Sequence, residues 1–472
     1  MKNLDIKKYT LFLVVFLFLF TGCENKFDEI NTDPNAFSEV PTHFFLAGSI
    51  LSIANAENHY FDGYLYPSLW IQHTTLGSWD QPGSYFYEDG RSFLWNGLYR
   101  GPLTDLDLMV SLAEEEGNTS LQAIGTILHA YSFTLLVNAF GDLPYTESFK
   151  VDEGINQPVY DPQSDVFDAI LENLRQASNL LNGMSNIDVD STYDLIYQGD
   201  AEKWQKFANS LRFRLLIQLS DIRDVSSELS SISPMFESAS DNATYTYSGS
   251  VNGNIYPPST AIGPDGTDPG HRMAAPLINR MNTTDDPRRP IYAKVNDDGM
   301  YVGADTQDVF GNGNEFSPIN SDSFTRDATI IFMDYSELLF LKAEAAQKGL
   351  TTGNEIALLR DAVIAHMQRV GVSAADTELY ADNLVANGTN LDEIYTEKWV
   401  SMFGRAMQAW GDYRRTGVPS LLPNPNGIIN VIPRRFTYPE NEQSTNNANR
   451  TEAAQKLSNG DALDSPLIWT QN

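Results

Sequence analysis

The chain has 472 residues, with 31 Lys and Arg against 62 Asp and Glu, a formal net charge of −31. That balance repels phosphate backbones and sets nucleic-acid binding aside. At 42% hydrophobic and 11% aromatic the chain can bury a large core, and its one cysteine leaves it no disulfide staple.

In chain order, Lys2, Lys7 and Lys8 precede an apolar run at 9–20 (YTLFLVVFLFLF). A basic leader and a short apolar stretch make a secretory signal. A permanent span needs about 20 apolar residues. The run closes on Phe20-Thr21-Gly22-Cys23, small residues before a lone cysteine. Residues 1–22 therefore read as a lipoprotein signal peptide, Cys23 as the lipidated residue, and 23–472 as the mature domain. Each buried CH₂ of the acyl chains adds about 0.8 kcal/mol, so the chain is expected to stay on the membrane. The tether at 24–29 (ENKFDE) resembles the leader of surface-exposed lipoproteins in Bacteroidota.

Aromatic residues crowd positions 70–95, where Trp70, Trp79, Tyr85, Phe86, Tyr87, Phe93 and Trp95 alternate with amides and acids. Leu121, Ile124, Leu128, Tyr131 and Leu135 then recur at helical spacing, as do Val166, Ile170 and Leu174 after Asp161-Pro162. Residues 203–214 read as a buried helix with a basic face. A loop-rich insert at about 241–330, dense in Gly, Pro, Asn and Asp, reads as loops with short strands. Residues 334–349 open on a cap-like Asp-x-x-Glu and end at Gly, as a helix does. The stripe from Leu391 to Trp410 predicts helix throughout, and 418–449 is irregular again. The fold expected is mostly α, one large domain with elaborated loops.

The histidines are His43, His59, His73, His129, His271 and His366; no two lie three to five residues apart, so no metal site is expected. Asp188, Asp190 and Asp194 alternate like a calcium loop but lack its glycine and terminal glutamate, and capping explains them better. Ser250 stands in the wrong place for a nucleophile elbow, and no Gly-rich phosphate cradle occurs. Nothing argues for catalysis or a cofactor, although two carboxylates could in principle cleave glycosides. Tyr and Trp beside amides and acids suit carbohydrate, because a sugar's apolar face stacks on the ring. Among the loops the candidate contacts are Trp79, Asp80, Tyr85, Tyr87, Tyr256 and Tyr301.

Taken together, these blocks resemble the SusD/RagB family of outer-membrane nutrient-binding lipoproteins, especially its SusD-like branch. The resemblance runs from Cys23 and 27–35 (FDEINTDPN) through 95–99 (WNGLY), 140–145 (FGDLPY) and 197–200 (YQGD) to 203–204 and 207–214 (FANSLRFR). It continues with 335–337 (YSE), 342–345 (KAEA), 397–399 (EKW) and 412–417 (DYRRTG). It implies divergent tetratricopeptide-like helical repeats scaffolding a loop-rich ligand-binding face. It also implies a SusC-like TonB-dependent transporter as partner, with the lipoprotein as its hinged lid. The expected role is capture of a glycan or oligosaccharide at the outer-membrane surface; peptide or another nutrient is the alternative cargo, and a surface glycoside hydrolase a further one. The family's blocks read physically as architecture and are not carried over as ligand contacts.

Overall fold

A computed structural model describes residues 40–77, 83–88, 92–250, 254–267, 270–308 and 313–470. The expected leader, Cys23, Trp79 and Asp80 lie outside these described residues.

The first helix, α1 (Phe44–Glu57), runs into a π-type turn, Tyr60–Leu65, and the short α2 (Tyr66–Trp70). Strand β1 (Thr74–Leu76) follows, then α3 (Phe93–Tyr99), α4 (Pro102–Glu116) and α5 (Thr119–Phe140). Pro102 at the first turn starts α4, and Gly117 (φ 73°) ends it in the left-handed region glycine tolerates. Asn118 then caps α5 by accepting from the Leu121 amide at 3.0 Å. A turn of two residues forces α4 and α5 into a hairpin. By length and composition α5 could cross a membrane, but 83% of its apolar window is buried inside the protein, so its hydrophobicity is that of a core helix. It ends at Gly141, in the turn of the family block at 140–145.

Helices α6 (Gln163–Leu180) and α7 (Ala201–Leu219) pair next, the latter capped by Asp200. The run before α7 is a capping device, as expected. Asp190 closes a turn onto Thr192, and Asp194 accepts from the Ile196, Tyr197 and Gly199 amides and from Trp204 Nε1. The insert holds β2 (Ala243–Thr246), β3 (His271–Met273) and β4 (Thr329–Met333); β1 pairs with β3 and β2 with β4, both antiparallel. It also holds a helix the composition did not announce, α8 (Ala275–Thr283), started by Pro276. The remaining scaffold is α9 (Tyr335–Gln347), α10 (Glu355–Arg369), α11 (Ala374–Val385), α12 (Leu391–Ser401) and α13 (Ala406–Thr416). The stripe from Leu391 to Trp410 is therefore not one helix. The chain turns at Gly404 (φ 85°), and side chains in register on both sides meet the same core. Short helices α14 (Glu440–Thr445) and α15 (Asn447–Lys456) close the chain.

The fold is mostly helical, with successive helices packed as neighbours: α4 on α5, α5 on α6, α6 on α7, α9 on α10 and α10 on α11. Residues Thr42–Asn472 form one unit. Its core includes a ring cluster of Trp70, Tyr87, Trp410 and Phe436, where Tyr87 and Phe436 stack at 4.6 Å and 2°. Burying such side chains contributes about 1.5–3 kcal/mol each.

The motif blocks of the helical half are buried ion networks. Glu397 accepts from Arg280, Arg288 and Tyr380, each at 2.8 Å, and Arg288 also holds Asp286. Glu344 binds Arg415, and Glu337 binds Arg405 at 2.6 Å. Burial pushes the Glu337 carboxyl up, but Arg405 and Arg214 outweigh it and hold the group down to about 2. Glu397, Glu344 and Glu337 thereby tie their helices to segments distant in sequence.

Candidate functional site: an aromatic platform among the loops

The break between α1 and α2 builds the site. A π-type turn takes in an extra residue and recurs at functional positions. Here it depends on Gly63, where a Cβ would meet the Glu57 carbonyl oxygen at 2.0 Å. His59 opens the turn, its Nδ1 accepting from the Phe61 amide at 3.4 Å. Asp62 then accepts from the Leu94 amide at 2.8 Å, fixing the start of α3 beside the turn. That contact delivers Phe93 against two rings 32 or more residues earlier in the chain. Phe93 lies 3.7 Å from His59 at 18° and 5.9 Å from Phe61 at 13°. The result is three near-parallel, half-buried rings.

Polar groups rim them. Tyr60 hydrogen-bonds His271 Nε2 at 2.9 Å, tying the turn to β3. Glu88 shares a small cleft with Phe61, Asp62, Tyr66 and Phe93. Burial lowers the His59 imidazole to about 4, so near neutral pH the platform carries no charge of its own. Burial likewise raises Asp62 to about 6, against the backbone amides of Leu94 and Phe93. Asp62 is thus a cap for the platform's own backbone. The arrangement can hold the flat apolar face of a ligand and hydrogen-bond groups at its edge.

A second set of loops is tied beside Tyr85. Asn424 donates its amide to Tyr85 Oη at 2.7 Å and its side-chain NH₂ to the carbonyls of Gly83 and Thr306. The Ile428 amide binds the Ser84 carbonyl at 2.9 Å, and Gln72 Nε2 reaches the Leu422 carbonyl. Gly427 lies flat against the Tyr85 ring; a Cβ there would come within 2.6 Å of it. Tyr85 itself sits at φ 65°, a conformation costly for a tyrosine, held by these contacts. Phe86, Leu422 and Ile428, on the same tied segments, are exposed.

The residues expected as ligand contacts fall in separate environments. Tyr85 is buried beneath its loop, and Tyr87 is a core ring on Phe436. Tyr301 lies under the Arg289 guanidinium, 4.9 Å away. Tyr256 is buried at the wall of a cavity of about 240 Å³. The platform rings were missed as a set. The available signal was the dense run at 58–64 (NHYFDGY), where a helical stripe stops at a glycine before Tyr66-Pro67. Among the described residues, no cluster of His, Cys, Asp and Glu is suited to a metal ion.

Comparison with known proteins places the scaffold. The family profile SusD-like_2, described as "Starch-binding associating with outer membrane", matches residues 34–439. Among solved structures, a chitin-binding protein superposes with a TM-score of 0.82 at 24% identity, covering 92% of this chain and 100% of that one. A SusD homolog from Bacteroides fragilis gives 0.77 at 24% identity, over 91% and 99% of the two chains. A chitin-binding SusD homolog from Flavobacterium johnsoniae gives 0.77 at 20%, over 90% and 99%. None of the curated proteins matches.

Proposed function

This chain belongs to the SusD-like family, and from that premise we propose that it captures a glycan on its aromatic platform at the outer-membrane surface and passes it to a SusC-like TonB-dependent transporter. The observation that carries the reading is the trio His59, Phe61 and Phe93, near-parallel and only partly buried, with Tyr60 and Glu88 at the rim. Flat, uncharged rings with hydroxyl and carboxylate neighbours suit a pyranose, whose CH face stacks while its hydroxyls bond sideways. Trp79 and Asp80 stay in this proposal as further ligand contacts. Lipidation of Cys23 holds the protein at the membrane, and the acidic tether carries it outward.

The cargo class to test first is a β-linked N-acetylated glycan, because two of the similar solved structures are named as chitin-binding. The role is binding without turnover. Calorimetric titration with chitin oligosaccharides, starch oligosaccharides and peptides, with product release assayed in the same mixtures, tests it. Saturable heat with one glycan class and no release is the expected result. Binding of peptides alone, or steady release of reducing ends, would overturn the reading. Replacing Cys23 with Ser should free the protein from the membrane fraction; retention there would reject the anchor.

A further inference from the structure

Beyond the platform, a pocket of about 330 Å³ lies between the end of α13 and the irregular chain that follows it. Arginines occur there in two adjacent pairs, Arg414-Arg415 and Arg434-Arg435, and the fold separates the members of each pair. Arg415 binds Glu344, and Arg435 binds Asp461. Arg414 and Arg434 line the pocket instead, and no carboxylate lines it with them. The buried Arg414 guanidinium packs over the Trp410 and Trp469 rings, at 3.5 and 4.8 Å, and its hydrogen bonds go to the carbonyls of Trp410, Asn138 and Arg434. A guanidinium stays charged when buried, so a positive charge stands in this wall with no carboxylate beside it among the described residues. Arg434 is only partly buried, and its side chain makes no hydrogen bond or ion pair with any described residue. It lies close enough to Tyr413 to restrain a phenol that burial, and then Tyr85, push up to about 12. Tyr413 is thus a neutral hydroxyl, also partly exposed, and Asn430 offers an amide at the exposed rim.

We propose that this pocket is a second binding site, an anion site that receives the carboxylate of a uronic acid. Its volume is at the small end of the range for ligand pockets, enough for a single sugar ring. The planar fork of Arg434 matches the two oxygens of a carboxylate, and Tyr413 and Asn430 add donors beside it. Arg414, behind them, contributes charge and not contact. Leu421, Pro423 and Ile432 give the lining an apolar part on which the ring's CH face can lie. The chain's formal charge of −31 repels anions at a distance, but at about 0.1 M salt that repulsion is screened beyond roughly 10 Å. What an arriving carboxylate meets is the pair of guanidiniums. A neutral sugar would leave the charge of Arg414 unbalanced, and a cation would add to it. The choice of a sugar acid over other carboxylates rests on the glycan reading above; the anion site itself does not, and it is separable from the platform by mutation.

The test uses the purified chain titrated by ligand-observed NMR with glucuronate, galacturonate, glucose and acetate, and with inorganic sulfate as competitor. Saturable binding of one uronate is expected, about tenfold tighter than glucose or acetate. Arg434→Met, which keeps the length of the side chain and removes its charge, should weaken it about tenfold. Asn430→Asp, at an exposed position, puts a carboxylate at the rim and should weaken it likewise with the fold intact. Phe61→Ala should leave uronate binding unchanged, so that failure of the platform and failure of this pocket are told apart. No saturable uronate binding would overturn the proposal. Glucose binding as tightly would also overturn it, because the charge would then be idle. So would acetate binding as tightly, or sulfate competing as well as the uronate itself, because the pocket would then hold any small anion. Uronate binding that persists unchanged in both Arg434→Met and Asn430→Asp would place the ligand elsewhere and reject the pocket.

Discussion

The helical half and the loop cluster treat polar and aromatic residues in opposite ways. In the helical half, charges are buried and paired: Glu397 has Arg280 and Arg288, and Glu344 has Arg415. In the loop cluster, rings are left partly open, and polar groups hold backbone in place, as Asp62 holds Leu94 and Asn424 holds Gly83. The most recognisable sequence blocks thus mark the interior of the scaffold, and the surface able to meet a ligand lies among less distinctive residues. Removing a buried charge should strike stability; removing an open ring should strike binding.

The largest effect is expected from Glu397→Ala. It removes the carboxylate shared by two guanidiniums, leaving the fully buried Arg288 with Asp286 alone and Arg280 with Glu393. Breaking such a pair from one side costs about 3–5 kcal/mol, readable by chemical denaturation, with glycan affinity of the folded fraction unchanged. Equal loss from a surface pair such as Arg360→Ala would dissolve the contrast. Next, Gly427→Ala should cost about 1–3 kcal/mol, because the new methyl overlaps the Tyr85 ring. Faster amide exchange confined to 83–88 and 421–430 would locate the damage. Phe61→Ala should weaken glycan binding roughly tenfold, equivalent to about 1.4 kcal/mol of stacking, with helicity intact by circular dichroism. An unchanged affinity would move the site off the platform.

The smallest effect separates the regions by acid. His59 binds protons in the unfolded chain from its ordinary 6.5 downward, but in the folded platform only near 4. Stability from its neutral form is therefore complete above pH 6.5 and lost as pH falls from 6.5 to 4. Glu337 contributes above its ordinary 4.5 and loses that contribution between 4.5 and about 2. On acidification, glycan binding should fade before helicity does, and His59→Phe should remove the first phase. Simultaneous loss of both signals in wild type and variant alike would reject this order.

Much of the scaffold is legible because helix signals are local. The spacing of Leu121, Ile124 and Leu128 predicts α5, and Asp334 three residues before Glu337 predicts the start of α9, whose Glu337 amide that aspartate accepts. The reading of 391–410 as continuous helix failed because periodicity records which side chains face the core and is indifferent to a turn that preserves the facing. Tyr85 and Tyr87 looked like loop aromatics from their Gly and Pro neighbours. They are buried because segments near 424 and 436 close over them.

By itself, then, the sequence determined the helix-rich class, the caps and stops, and the family to which the chain belongs, all of which depend on spacing within a turn or on ordered motifs. Only the tertiary structure decided which aromatics are core and which are surface. It brought Phe93 onto His59, and Tyr85 under Gly427 across hundreds of residues. Burial and ring stacking act between neighbours in space, and nothing in the local pattern of a chain specifies which distant segment will cover it.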